Sequence, residues 1–312
     1  STKDFTWSTD FNIAFNRSKV LDLYGSDELN YFIKDYESRM GYKIEVGQPL
    51  GQFYGLIYDG IYTTDDFIQN QDGTYTLKDD VPYLKGSTRS SVKVGDVKYK
   101  AIAGETDQDG NPVFSVNDRT VIGKAQPKFT GGMNNTFRYK GFDLNIFFNF
   151  VYGNKVFNMS TQRFIGPYLA NQNTLSKMSD RFTLIDSETG KESTNLARLA
   201  ELNPNQNGGL LWNISSNNKT AISDHSSYYL EDGSYLRLNN ITLGYTLPKK
   251  LVQKARINSV RVYGTLNNIH TFTKYSGYDP EVSASDNALT PGIDNSSYPR
   301  AKSWVLGVNL TF

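Results

Sequence analysis

The chain has 312 residues, with 33 basic and 32 acidic side chains and no cysteine. No global field draws it to nucleic acid, and neither a disulfide framework nor a thiolate metal site is open to it. Mean hydropathy is −0.51 and no apolar run reaches the ~18 residues of a membrane helix. Membrane strands stay open, because they alternate faces and average to half polar.

Ser1-Thr2-Lys3-Asp4-Phe5 enters a strand at once, with no basic stretch followed by an apolar core. A secretion leader is therefore expected to have been removed, or the chain to begin inside a longer protein. In the first strand Phe5, Trp7, Phe11, Ile13 and Phe15 share one face with Thr9, and Thr6, Ser8, Asp10, Asn12, Ala14 and Asn16 share the other. A long connection over 18–126 follows, with short strands expected near 42–47, 52–58 and 95–102 and a short helix over 27–40. The second strand sets Phe129, Met133, Phe137 and Tyr139 against Lys128, Thr130, Asn134, Thr136 and Arg138.

Lys140-Gly141 alone joins it to the third strand, so Tyr139 and Phe142 should pair across a two-residue hairpin. There Phe142, Leu144, Ile146, Phe148, Phe150 and Tyr152 form an unbroken apolar row. After a second long connection, 155–234, the fourth strand runs from about Tyr235 to Leu247. Leu236 and Leu238 fall on one parity and Ile241, Leu243 and Tyr245 on the other, which predicts a β-bulge at Asn239-Asn240. A modest turn, Pro248 to Ile257, leads to the fifth strand, with Val260, Val262 and Leu266 opposite Ser259, Arg261, Thr265 and Asn267. A third long connection, 270–302, precedes the last strand: Trp304, Leu306, Val308, Leu310 and Phe312 against Val305, Gly307, Asn309 and Thr311.

Long and short connections thus alternate, as they do in outer-membrane barrels with short periplasmic turns and long extracellular loops. A soluble β-sandwich shares the period-two pattern. Its strands are usually about 5–6 residues, whereas a membrane strand needs about 9–11, and Phe142 to Tyr152 has the membrane length. Aromatic residues near strand ends (Trp7, Tyr139, Phe142, Tyr152, Trp304, Phe312) suit interface girdles.

Several blocks then carry a family resemblance. They are Gly47-Gln48-Pro49-Leu50-Gly51-Gln52-Phe53-Tyr54-Gly55 with Tyr58-Asp59-Gly60-Ile61-Tyr62, and Asp118-Arg119-Thr120-Val121-Ile122-Gly123 with Pro127-Lys128-Phe129-Thr130-Gly131-Gly132. Next come Tyr139-Lys140-Gly141-Phe142-Asp143-Leu144 and Tyr235-Leu236-Arg237-Leu238-Asn239-Asn240-Ile241-Thr242-Leu243-Gly244-Tyr245. Tyr275-Ser276-Gly277-Tyr278-Asp279-Pro280-Glu281 and Tyr298-Pro299-Arg300 complete the set. In this order they resemble the C-terminal region of SusC-like TonB-dependent transporters (the RagA/SusC family). The resemblance implies an all-β fold: a transmembrane antiparallel β-barrel of about 22 strands, plugged and with long extracellular loops. This chain would supply its C-terminal strands over 1–312. The implied setting is the outer membrane of a Bacteroidetes-type Gram-negative bacterium. The implied work is TonB-dependent import of nutrient oligomers, glycan or peptide, with a SusD-like surface lipoprotein. The plug, the TonB box and the N-terminal strands fall outside this chain. Six strands are too few to close a barrel, since about eight is the smallest known, so the remaining strands are expected from an N-terminal part or a separate chain.

Candidate sites follow. Asp107 to Asp118 resembles an Asp/Asn calcium loop, with Asp107, Asp109, Asn111, the Val113 carbonyl, Ser115 and Asp118 at the ligand positions. Pro112 stands where glycine is usual, and a polar hairpin tip is the competing reading. Tyr168, Trp212, Tyr228 and Tyr229 are candidate stacking surfaces for sugar rings or peptide side chains, with loop packing as their alternative. The closing strand, Trp304, Leu306, Val308, Leu310 and Phe312, resembles a barrel-assembly signal. The basic turn, Lys249 to Arg256, should lie on the periplasmic rim as a solvated turn. His225 and His270, with Ser226 and Asn268 near them in sequence, are the weak case for a barrel enzyme; a transport component is expected instead. Passive porin and soluble β-sandwich binding protein remain the other rivals.

Overall fold

The computed structural model describes residues 4–32, 40–165, 171, 173–208, 210–214, 225–281 and 289–312. The six alternating segments form one sheet in chain order: β1 Phe5–Ala14, β2 Phe129–Tyr139, β3 Phe142–Tyr152, β4 Tyr235–Thr246, β5 Ser259–Thr273 and β6 Ser303–Thr311. Every neighbouring pair is antiparallel. The β2–β3 hairpin has the expected register, with Tyr139 opposite Phe142. Lys140 and Gly141 both take positive φ, 45° and 89°, the backbone that a two-residue turn matching the strand twist requires.

The expected bulge is present. Leu238 pairs with His270 and Asn240 with Asn267, so Asn239 is set against Asn268-Ile269. Asn268 itself has φ +52°. Two residues of β5 opposite one of β4 absorb the phase change of β4, so β5 keeps its even-numbered apolar parity beyond the bulge and presents His270 and Phe272 outward. It reaches Thr273, further than the pattern up to Asn267 suggested.

The register makes the outward face one apolar surface across all six strands. One row, Trp7–Phe137–Leu144–Leu243, crosses four of them by direct pairing. Nothing among the described residues covers it: Trp7 is 59%, Phe11 60% and Leu306 74% exposed. A sandwich would bury these side chains under a second sheet. Aromatic contacts gather at both ends. Trp7 stacks on Phe137 and Phe142 lies against Tyr245 at the short-turn end; Phe15 lies against Phe129, and Phe129 stacks on Tyr152, at the long-loop end.

The three long connections come together at that second end and fold into a cap. A four-stranded sheet joins Thr120–Lys124, Gln52–Gly55, Met40–Glu45 and Glu28–Phe32. A three-stranded sheet joins Leu230–Asp232, Lys155–Asn158 and Ile293–Asp294. The helix expected over 27–40 is not found where the chain is described. Glu28–Phe32 is a strand paired with Met40–Glu45, because Leu29 to Phe32 gain ladder hydrogen bonds that a lone short helix lacks; 33–39 lie outside the described residues. Phe53 from the first connection, Phe157 and Tyr229 from the second and Ile293 from the third share one hydrophobic core.

Candidate functional site

The inward face of the sheet is polar. Asn145 donates to Asn134 Oδ1 at 2.8 Å and to Thr136 Oγ1 at 3.0 Å, and the Thr242 and Thr265 hydroxyls are 2.9 Å apart. Asp143 of β3 and Arg261 of β5 pair across β4, with Arg261 Nε 2.9 Å from Asp143 Oδ1. The strand between them carries Gly244, where a Cβ would fall 2.5 Å from the guanidinium and 2.6 Å from the carboxylate. Only glycine leaves room for this bridge. A row of amide, hydroxyl and paired charge suits a face turned to water.

At the long-loop end of this face stands Arg237, the one charge in β4 and almost wholly buried. A lone arginine between leucines on a strand is costly to bury unless paired. Its guanidinium lies 2.5 Å from Asp279 Oδ1 and 3.5 Å from Glu281 Oε2, and Glu281 in turn lies 3.1 Å from Arg300. Asn268 Oδ1 accepts from Arg237 at 3.5 Å, and the guanidinium sits 5.2 Å from the centre of the Tyr235 ring. Three of the resemblance blocks, around Tyr235 to Tyr245, Tyr275 to Glu281 and Tyr298 to Arg300, thus meet in one ionic latch. It pins the connection after β5 against the inner wall. Sequence reasoning passed over Arg237, although a single charge in an apolar strand was the available signal.

Three of the four candidate stacking residues come together. Trp212, Tyr228 and Tyr229 join Tyr58 in a cluster with Trp212–Tyr228 at 5.0 Å, Tyr228–Tyr229 at 5.2 Å and Tyr58–Tyr228 at 4.8 Å between ring centres. Trp212 and Tyr229 are each only 2% exposed, so they serve as core. Tyr58 and Tyr228 form its half-buried edge, and Lys177 donates to the Tyr228 hydroxyl at 2.8 Å. Tyr168 lies outside the described residues.

The stretch from Asp107 to Asp118 folds as a hairpin tip, closed by a bridge between Thr106 and Pro112. Asp107 accepts from the Asp109 and Asn111 backbone N–H groups, from the Asn111 amide and from the Tyr83 hydroxyl. Asp118 accepts from Ile102, Ala103 and Ser115 N–H. The Ser115 hydroxyl donates to Glu105 at 2.6 Å, and Val113 is paired with Tyr83. The two end carboxylates therefore hold different segments of backbone. Among the described residues no three His, Cys, Asp or Glu side chains are grouped as a metal ion would need. The Asn111 side chain, with backbone N–H groups and the Tyr83 hydroxyl, holds the Asp107 carboxyl down at about 2. Ser115, Asn117 and Lys85 do the same for Glu105, also to about 2.

The two histidines sit in different regions. His225 is buried in the cap with its ring 4.9 Å from that of Phe157, and His270 lies on the outward face beside Phe272. Asn268 donates to the Ala301 carbonyl. Trp304, Leu306, Val308 and Leu310 all point outward from β6 and are exposed, as is Phe312. Lys249–Val252 forms a single helical turn at the short-connection end.

No family model matches the chain. Along its full length it is 30% identical to TonB-dependent receptor P3 of Formosa agariphila, covering 27% of that protein. It is 27% identical, again over its full length, to TonB-dependent receptor SusC of Bacteroides thetaiotaomicron, covering 25% of it. The chain thus spans about a quarter of the length of these relatives. Among solved structures it superposes on the RagAB peptide importer in its closed-closed state with a TM-score of 0.64 and 23% identity, covering all of this chain and 28% of that one.

Proposed function

From a chain similar along its whole length to TonB-dependent receptors of the SusC type, we infer an outer-membrane import component that supplies barrel wall and extracellular cap. The carrying observation is the six-strand sheet with an uncovered apolar face, aromatic at both ends, backed by a polar face. Such a sheet is stable only with lipid on one side and water on the other. Its edge strands, β1 and β6, pair with the remaining strands of a longer barrel, whose plug and TonB box lie upstream of this segment. Cargo, a glycan or peptide oligomer, enters between the cap and a SusD-like lipoprotein and passes along the polar face. TonB supplies the energy through the plug. Trp304, Leu306, Val308, Leu310 and Phe312 guide insertion as the assembly signal.

This segment has no cysteine of its own, so orientation is directly testable once any cysteine elsewhere in the complete protein is replaced by serine. In the complete protein, a single cysteine replacing Glu188 in the cap should react with a membrane-impermeant maleimide on intact cells. One replacing Asn258 in the short turn should react only after lysis. Equal labelling of both on intact cells defeats the reading. Uptake that survives loss of TonB would make the protein a passive pore.

A further inference from the structure

We propose that the short-turn rim of the sheet binds the headgroup of an anionic phospholipid in the leaflet it faces. The proposal rests on the membrane reading above. Lys140 at the β2–β3 turn and Lys249, Lys250, Lys254 and Arg256 in the β4–β5 turn are all exposed. Ion pairs at this end engage none of them among the described residues. The nearby Asp143 is already neutralised by Arg261. Free positive charge therefore accumulates where two turns meet the interface.

Three observations point the charge toward lipid rather than water alone. Lys140 Nζ lies 5.2 Å from the centre of the Tyr139 ring, and Tyr139 faces outward with Phe142 and Tyr245, so the ammonium sits over the aromatic band. Leu251, between the lysines, is 63% exposed, which sets an apolar side chain beside the charge where it can reach the acyl boundary. Both turns also lie inside the arc, flanked by β1 and β6 of this same chain. Their outward surroundings are therefore fixed without the strands beyond its edges. A basic cluster with an apolar residue at the acyl boundary is the chemistry that holds an anionic headgroup.

The test uses the complete protein, purified in neutral detergent and offered equal amounts of phosphatidylethanolamine and phosphatidylglycerol, with bound lipid read by native mass spectrometry. Retention should favour phosphatidylglycerol by about fivefold or more, the scale of roughly one lysine–headgroup contact. The triple variant K249Q/K250Q/K254Q should bring the ratio near parity, while K249R/K250R/K254R keeps it. Heat-shifted gel migration checks that each variant is folded, and Lys140→Gln on the other hairpin gives an independent reduction if the triple variant is not. Parity in the wild type, as expected were the patch instead a dock for an acidic periplasmic protein, overturns the proposal. So does a folded triple variant with unchanged preference. A wild type that retains neither lipid and shows no heat-shifted migration fails the membrane reading instead.

Discussion

Phe11 and Phe53 are the same side chain placed in opposite surroundings. Phe11, on β1, is 60% exposed on the outward face, and Phe53, in the cap, is 2% exposed and packed against Tyr42 and Phe157. The sheet turns its apolar residues away from the rest of the chain and keeps amides, hydroxyls and an ion pair inside. The cap buries apolar residues as any water-soluble domain does. The difference teaches that one chain can obey two solvents, and that the boundary runs through the loop ends where Arg237 ties the regions together.

The largest expected effect comes from cutting that tie. Arg237→Ala leaves Asp279 buried without its partner, which costs about 3–5 kcal/mol. Protease should then cleave the connection after β5 while the sheet keeps its heat-shifted gel migration. An uncut connection would show that the latch is incidental.

Next, Phe53→Ala should destabilise the cap by about 3–5 kcal/mol, since a rigid core retains the cavity. Phe148→Ala, in the middle of the outward face of β3, should cost only about 1.5–3 kcal/mol, the transfer part alone, because lipid refills the space. Phe148→Arg should cost about 2–4 kcal/mol in a bilayer. Denaturant titration in liposomes measures all three, and equal losses for the two alanine variants would erase the distinction between the regions.

A smaller effect is expected from acid. The carboxyls of Glu105, Asp107 and Asp186 are each held down to about 2, from ordinary values of 4.5 for Glu and 3.8 for Asp. For Asp186 the cause is first the paired Arg198, at 2.9 Å. Groups with lowered values add stability that is complete above their ordinary range and lost as pH falls toward 2. Cap melting should therefore be flat down to about pH 5 and fall between there and pH 2. Because the sheet contributes no such carboxylate triad, its own unfolding should follow acid less steeply. The smallest effect concerns calcium. With Asp107 and Asp118 already engaged by separate N–H donors, adding calcium or a chelator should leave cap melting unchanged. A shift of several degrees would mean that the Asp107 to Asp118 loop recruits the ion.

Deleting 155–234 would not be a clean loop removal. Phe157, Trp212 and Tyr229 belong to a core shared with the first connection, so the deletion would expose Tyr42, Phe53 and Tyr99. Point changes at the half-buried edge, Tyr58 and Tyr228, are the sharper probes of cargo contact.

The sequence by itself determined the six strands, the β2–β3 register, the bulge at Asn239 and the alternation of long and short connections. The strands, the register and the bulge are written in neighbours one to three positions apart, since a strand's faces repeat every two residues, and the alternation of connections follows from where those strands fall. Tertiary structure alone decided that Glu28–Phe32 would pair as a strand, that Trp212 and Tyr229 would be core, and that Arg237 would find Asp279. Those outcomes depend on side chains brought together from connections far apart in the chain: Tyr42 with Pro291, Phe53 with Phe157, Arg237 with Arg300 through Glu281. Local periodicity carries no information about such meetings, because burial is settled by which distant surfaces exclude water together.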